Sequence, residues 1–389
     1  MEEFKSYKLS EVANLSTGFP FDGSKYSKSG IRVVRGDNVT IGSLRWDSEK
    51  LKCWSEPFSR AKEYSLQDGD IVIGMDGSRV GRNRAQISES DLPLLLAQRV
   101  ACIRHNEKSV QDYLYYLIFN ERFVDYVKSV QTGTSIPHIS LKQIGDYEVQ
   151  LPSIERQKSI CRVLKSLDEK IALNNRINHN LEDCLFSLYI RLLENQCGLS
   201  TIGQVSERIY SGGTPDTKNS DFWGGAINWL SSGETSERFI IDTEKRITEN
   251  GVRHSSTKYA SKYDVVIASA GQGNTRGQTS MTLLNTCINQ SVIVIHANSV
   301  EAPAIFCSLA NRYDELRAIS DASSIRGSLT TKMISALEIP IFPEVESVKF
   351  SSQAMCLIDQ IENNLRENRS LKEQRDTLLP KLMGGELCK

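Results

Sequence analysis

No run of eighteen or more apolar residues occurs in this chain of 389 residues, so no segment reads as a membrane span. The opening MEEFKSYKLSEV lacks the basic-then-apolar pattern of a secretory signal, and a cytoplasmic protein is expected. The nine cysteines stand singly, with no CxxC and no Cys/His cluster at zinc spacing. That argues for free, mostly buried thiols and against a structural metal. The five histidines, His105, His138, His179, His254 and His296, share no constellation. There is no Pro-Pro pair, hence no Asp/Asn-Pro-Pro-Tyr/Phe motif of an adenine methyltransferase, and no GxxxxGK[ST] phosphate loop. Gly271 to Gly277 resembles a dinucleotide fingerprint only in part, because the spacing is wrong and no clear helix follows. No catalytic residue is assigned. Basic excess is missing too: 47 Lys and Arg against 48 Asp and Glu give a net charge of −1. Bulk charge therefore does not point to nucleic acid.

What is present is ordinary globular composition, 39% hydrophobic and 24% charged, in a chain too long for one comfortable core. The chain is also a repeat. Offset by about 190 residues, Tyr7-Lys8-Leu9-Ser10-Glu11-Val12 meets Ser200-Thr201-Ile202-Gly203-Gln204-Val205. Asp70-Ile71-Val72-Ile73-Gly74-Met75-Asp76-Gly77 meets Asp264-Val265-Val266-Ile267-Ala268-Ser269-Ala270-Gly271. Ala97-Gln98-Arg99-Val100-Ala101-Cys102-Ile103 meets Asn289-Gln290-Ser291-Val292-Ile293-Val294-Ile295. Short β-branched runs bounded by Gly, Asp and Asn read as strands.

A long helix is expected after each globular copy. In the first, Ile160, Leu164, Leu167, Ile171, Asn174, Asn178, Leu181, Leu185, Leu188 and Leu192 alternate steps of four and three, the coiled-coil period. In the second, Leu357, Ile361, Asn364, Asn368, Leu371, Leu378 and Leu382 stand at the same offset, with Arg375 where the first has Leu185. The seam is expected to run through Ile171, Asn174, Asn178, Leu181 and Leu188 in one helix and Ile361, Asn364, Asn368, Leu371 and Leu378 in the other. A seam Asn costs stability but fixes register and partner, so the matched pairs suggest that the helices pack on each other, antiparallel, rather than each only on its own domain. Each helix would run on the order of 60 Å. The expectation is an α+β protein with a pseudo-two-fold internal repeat: domains at 1–152 and 197–343, helices at 153–196 and 344–389.

Two copies held by a rigid spacer suit a bipartite target, and DNA is the obvious one. At this point the chain resembles the specificity (S) subunits of Type I restriction–modification enzymes, over essentially its whole length. The resemblance rests on the order domain, helix, domain, helix. It rests also on Leu151-Pro152-Ser153-Ile154-Glu155-Arg156-Gln157, Leu167-Asp168-Glu169-Lys170-Ile171, Leu337-Glu338-Ile339-Pro340-Ile341-Phe342-Pro343 and Leu378-Leu379-Pro380-Lys381-Leu382-Met383-Gly384-Gly385-Glu386-Leu387. Phe342-Pro343-Glu344-Val345-Glu346 departs from the pattern at Pro152 to Gln157. The resemblance implies that each domain is a target recognition domain for one half of a split double-stranded DNA site in a prokaryotic cell. The helices would space the domains and dock two modification (methyltransferase) subunits, which restriction subunits join. It implies no cofactor in this chain, with S-adenosylmethionine, ATP and Mg in the partners. Two alternatives remain open: a coiled-coil scaffold without DNA readout, and the S subunit of a related methylation-dependent phage-defence system.

Loop Arg, Asn, Ser, Thr and His are the usual tools for phosphate and base contacts. In domain one the candidates are Arg35 and Asn38, then Arg79, Arg82 and Arg84, the densest basic loop, and then Thr134, Ser135 and His138. In domain two they are Ser231 and Ser232, then Asn274, Thr275 and Arg276, and then Ser324 and Arg326. Trp46, Trp54, Trp223 and Trp229 read as core or rim aromatics.

Overall fold

The computed structural model describes residues 4–57, 59–133, 135–194, 198–271, 273–322 and 327–384. Compactness divides the chain into two units: Met1–Glu169 with Lys372–Lys389, and Lys170–Leu371. The long helices run Ile154–Leu193 and Glu344–Met383, so each unit includes a stretch of both.

In unit one, a four-stranded antiparallel sheet sets Ala13–Thr17 beside Val100–His105, then Ile71–Gly74, then Arg84–Gln86. Side chains along a strand alternate between faces. Ile71 and Ile73 accordingly enter the main core with the helices, while Val72 enters a second cluster with Val34, Leu94 and Leu96. That is why this run is apolar throughout rather than alternating: both faces of the sheet are covered. A three-stranded sheet places Ile31–Val34 antiparallel to Cys53–Trp54 and parallel to Leu94–Leu96. The strand Lys5–Lys8 closes the domain against Glu148–Leu151.

Unit two repeats the plan. Val265 and Ile267 join its main core, and Val266 the second cluster. Its five-stranded sheet runs Arg208–Ser211, Val292–His296, Val265–Ala268, Thr279–Thr282, Phe239–Ile240. A ribbon of Gly198–Thr201 with Glu338–Ile341 closes it. One buried anchor recurs in altered form. Asp70, 1% exposed, accepts two hydrogen bonds from Arg104 at 2.7 and 2.6 Å and one from the Gln67 backbone. In unit two, Asp264 accepts from the Ser261 backbone in the same way, but its side-chain partner is His296 at 2.6 Å.

The Pro-Ser-Ile-Glu-Arg-Gln segment at the head of the first helix has a physical role. Gln157 is fully buried. Its carbonyl oxygen accepts from Val110 N at 2.9 Å, and its amide donates to Pro152 O and Lys108 O. At the matching place in the second helix, Ser347 makes, among the described residues, only the backbone bond to Pro343 O that Gln157 also makes to Ser153 O.

The seam forms where the Asn pairs predict it. Within unit two, Asn174 Nδ2 donates to Asn368 Oδ1 at 3.0 Å, Asn364 Nδ2 to Asn178 Oδ1 at 2.8 Å, and Asn368 Nδ2 to Asn175 Oδ1 at 2.8 Å. Rising numbers on one helix meet falling numbers on the other, so the pair is antiparallel. Ile171 and Ile361 are buried beside them, and Leu371 and Leu378 half-buried. Leu181 and Leu188 are half-buried as well, and the fully covered positions on this stretch are Leu185, Tyr189 and Leu192. The face rotates there because those three pack into the domain core with Phe350, Ala354 and Ile358. Helix–helix and helix–domain packing thus coexist. In unit one, Ile160, Cys161 and Leu164 share the core with Leu379, Leu382 and Met383. There Arg375, which the heptad pattern marks as a weak point, donates to Asp168 Oδ1 at 2.8 Å, and Asp168 Oδ2 accepts from Tyr116 Oη at 2.7 Å.

Replacing Asn174 alone by Leu strands the side-chain oxygen of Asn368 in the seam and is expected to cost roughly 1–3 kcal/mol in a thermal or denaturant melt. Replacing Asn174 and Asn368 together removes both amides and should recover most of that loss. Equal losses in the single and double variants would show that the two amides are not coupled.

Candidate nucleic-acid interface

Unit one carries a cleft of about 660 Å³. Phe19, Phe21 and Tyr26 form its apolar wall, and Arg35, Arg45, Arg79 and Arg99 ring it with Gln98. Phe21 packs against the buried Trp54 with its ring tilted, 4.8 Å between ring centroids, which ties the wall to the core. Arg35 lies over the Tyr26 ring, reaches Lys50 O at 3.4 Å and stands 3.9 Å from Asp37. Arg45 pairs with Asp47 at 3.1 Å. Arg79 is exposed, and its guanidinium has no partner among the described residues.

The loops chosen from sequence converge only in part. Arg35 and Arg79 line the cleft, and His138 stands at its rim. Ser135 is exposed nearby, and Thr134 lies outside the described residues. Asn38 is corrected: it is fully buried, its amide donates to Arg45 O and Lys50 O, and its oxygen accepts from Arg35 N. It builds the loop and offers nothing to a ligand. Arg82 turns away into a bidentate pair with Glu121 at 2.9 and 3.3 Å. Arg84 is corrected as well. It is 7% exposed, packs over Phe119 and donates to Gly81 O at 2.7 Å. Burial lowers its pKa from the ordinary arginine value. Gly81 is required at this bend: φ is +83°, and a Cβ would stand 2.9 Å from Val127.

In unit two, Arg276 is corrected for the same reason. It is 8% exposed and spends its guanidinium on Gly327 O at 2.7 Å and on Asp321. The strand Val265–Ala268 is followed by another strand, Thr279–Thr282, and not by a helix, so the dinucleotide likeness fails. Asn274 is exposed, while its carbonyl accepts from Tyr313 Oη. Thr275 is half-buried. Ser231 caps a short helical turn through Glu234 Oε2, and Ser232 O accepts from Thr235. Ser324 and Arg326 lie outside the described residues.

Sequence reading missed Asp76, Gln98 and Arg99. Asp76 Oδ1 receives His138 Nδ1 at 2.5 Å, and Asp76 Oδ2 receives Arg99 Nη1 at 3.0 Å. Partial burial opposes ionisation of Asp76, but the hydrogen bonds from His138 and Arg99 outweigh it and hold the carboxyl below its ordinary range. The available signal was a difference inside the repeat: Asp76 and Arg99 align with Ala270 and Ser291. Among the described residues, no helix is long and apolar enough to cross a membrane, and no group of His, Cys, Asp and Glu is placed to hold a metal ion.

Comparison with known proteins agrees with this architecture. Residues 1–183 match the model of the Type I restriction modification DNA specificity domain. The Type I restriction enzyme MjaVIII specificity subunit of Methanocaldococcus jannaschii is 27% identical over 46% of this chain and 43% of that one. The EcoAI specificity subunit of Escherichia coli is 29% identical over 44% of this chain and 29% of that one. These two alignments therefore span less than half of either relative. The HindI specificity subunit of Haemophilus influenzae aligns end to end, over 100% of both chains, at 22% identity. Among solved structures, the S subunit of a Type I restriction–modification system from M. genitalium shares the fold, with TM-score 0.63, 16% identity and coverage of 98% and 96%. Residues 1–183 thus match a Type I restriction modification DNA specificity domain, and the chain is similar, over its whole length in one case, to Type I restriction enzyme specificity subunits.

Proposed function

We propose that each globular domain reads one half of a bipartite double-stranded DNA target. The two helices set the spacing between the halves and dock two modification subunits, with restriction subunits joining the complex. The chain itself does no chemistry; S-adenosylmethionine, ATP and Mg serve the partners. The observation that supports this most is the cleft of unit one. A framework repeated in unit two carries there exposed Arg79, Arg99 and Gln98, groups that the fold does not use up. Arg forks and Gln amides are the side chains that match base edges, and cations beside a backbone turn match phosphates.

The near-zero charge sets the strength of binding. DNA affinity rests on cation–phosphate contacts with counterion release. Here many cations are committed: Arg82 to Glu121, Arg104 to Asp70, Arg276 to Asp321, Arg375 to Asp168. The chain alone should bind DNA weakly, and the modification subunits should supply much of the clamp.

Three outcomes are expected. Mapping methylated adenines in a genome carrying this chain with its modification partner should give a split motif, and exchange of residues 197–343 should change one half of it. A continuous motif would refute the bipartite reading, and an unaltered motif after the exchange would favour a scaffold without readout. In salt titrations, the isolated chain should bind DNA far more weakly than the complex; tight, steeply salt-dependent binding alone would refute the charge argument. Finally, Arg79→Ala should leave the melting temperature in place and reduce the salt slope of DNA binding by about one. Arg84→Ala should instead lower folding stability by roughly 1–3 kcal/mol, because Gly81 O loses its buried partner.

A further inference from the structure

The turn that leads into the strand Val100–His105 pushes Gln98 and Arg99 out of the framework. Arg99 is 73% exposed, yet its guanidinium is not loose. One Nη1 hydrogen bond holds it to Asp76 Oδ2, and Asp76 is held in turn by His138 through its other oxygen. The backbones of Asp76 and His138 are bridged as well. Nε and Nη2 of Arg99 have no partner among the described residues and stand at the mouth of the cleft. The result is a planar donor fork, oriented from behind and open in front.

The fold does not need this cluster. Unit two makes the same backbone bonds at the matching places. Met75 N donates to Arg99 O as Ser269 N does to Ser291 O, and Ile139 N to Met75 O as Leu329 N does to Ser269 O. Those bonds equate Arg99 with Ser291, Asp76 with Ala270 and His138 with Ser328. The frame stays and all three side chains change. A salt bridge kept for packing would be expected to recur with the packing, as the Asp70 and Asp264 anchors do. An exposed pair such as Arg99 with Asp76 also adds little stability.

In the major groove, guanine presents two acceptors, O6 and N7, at the separation of two parallel N–H groups of a guanidinium. Holding the fork in place beforehand removes most of the rotamer entropy that a free Arg side chain would lose on binding. A phosphate contact needs no such orientation.

Resting on the reading of this domain as a DNA reader, we propose that Arg99 recognises a guanine in one half of the target, with Asp76 and His138 as positioning residues. Arg99 is then a specificity-determining side chain and not a general phosphate contact.

The test uses the full chain assembled with its modification subunits and maps methylation motifs over a randomised library for wild type, Arg99→Ala, Arg99→Lys, Asp76→Ala and His138→Gln. The wild type should show a required G·C pair in one half. Arg99→Ala should lose that preference roughly tenfold or more at this single position, with the other half and the melting temperature unchanged. Arg99→Lys keeps the charge but lacks the fork, so it should relax the same position while retaining affinity. Asp76→Ala and His138→Gln should relax it partially and nowhere else. An unchanged motif in Arg99→Ala, or equal weakening at every position, overturns the assignment while leaving the bipartite reading intact. Absence of any split motif in the wild type overturns both.

Discussion

An amide buried in a helix seam must find another amide, and that requirement fixes the frame of this protein. Asn174 with Asn368 and Asn178 with Asn364 are the only register at which both pairs of the described seam meet. A slip of four residues in either direction would keep only one Asn–Asn pair and face the remaining amides with other side chains, at the cost of lost buried hydrogen bonds. Because the same helices also fill the domain cores, through Leu185, Tyr189 and Ile358 in unit two and Ile160 and Leu164 in unit one, the register propagates into the sheets. Arg375 and Asp168 add a charged version of the same constraint within unit one, with Tyr116 closing the network. Polar seam groups cost stability relative to leucine; what they give here is a single way to assemble.

The two copies show which parts of such a domain are free to change. The buried carboxylate at the start of the central strand is kept, together with its backbone bond three residues back, as Asp70 and as Asp264. Its partner across the sheet is Arg104 in one copy and His296 in the other, because either donor satisfies the oxygens. Toward the rim the constraint disappears. Asp76, Arg99 and His138 stand where the second copy has Ala, Ser and Ser on an equivalent backbone. Buried polar groups must be paired whatever the target; exposed ones answer only to what binds.

Legibility in the sequence followed the same division. The helices and the strand Ile71–Gly74 with its counterpart Val265–Ala268 were readable because periodicity and apolar runs report burial directly. The seam Asn pairs were readable because the repeat set them side by side. The loops were not. Arg82, Arg84 and Arg276 sit in polar, glycine-containing loops, but the direction of each side chain is decided by the chain's turn at Gly81 or by an acceptor far along the sequence, such as Asp321 or Glu121. Asn38 belongs to the same class, since its partners are carbonyls seven and twelve residues away. Arg99 was hidden for the converse reason: Asp76 and His138 are 62 residues apart, and no local pattern announces that they meet.

Charge neutrality then takes on a meaning that composition could not give. A surface that bound DNA by field alone would need unpaired cations in excess. This chain instead commits Arg82, Arg104, Arg276 and Arg375 to named carboxylates, while at the cleft of unit one Arg79 and two of the three guanidinium nitrogens of Arg99 stand open. Under the proposed reading, that trade favours discrimination over affinity. Each phosphate contact adds binding to every sequence equally, whereas an oriented fork adds binding only where a guanine edge faces it. Non-specific DNA competes in vast excess for any such protein, so raising uniform affinity would fill the domain with wrong sites faster than right ones. Under that reading, a nearly neutral domain that drew its grip from partners would avoid that competition, and its cations paired with carboxylates would add little to uniform affinity.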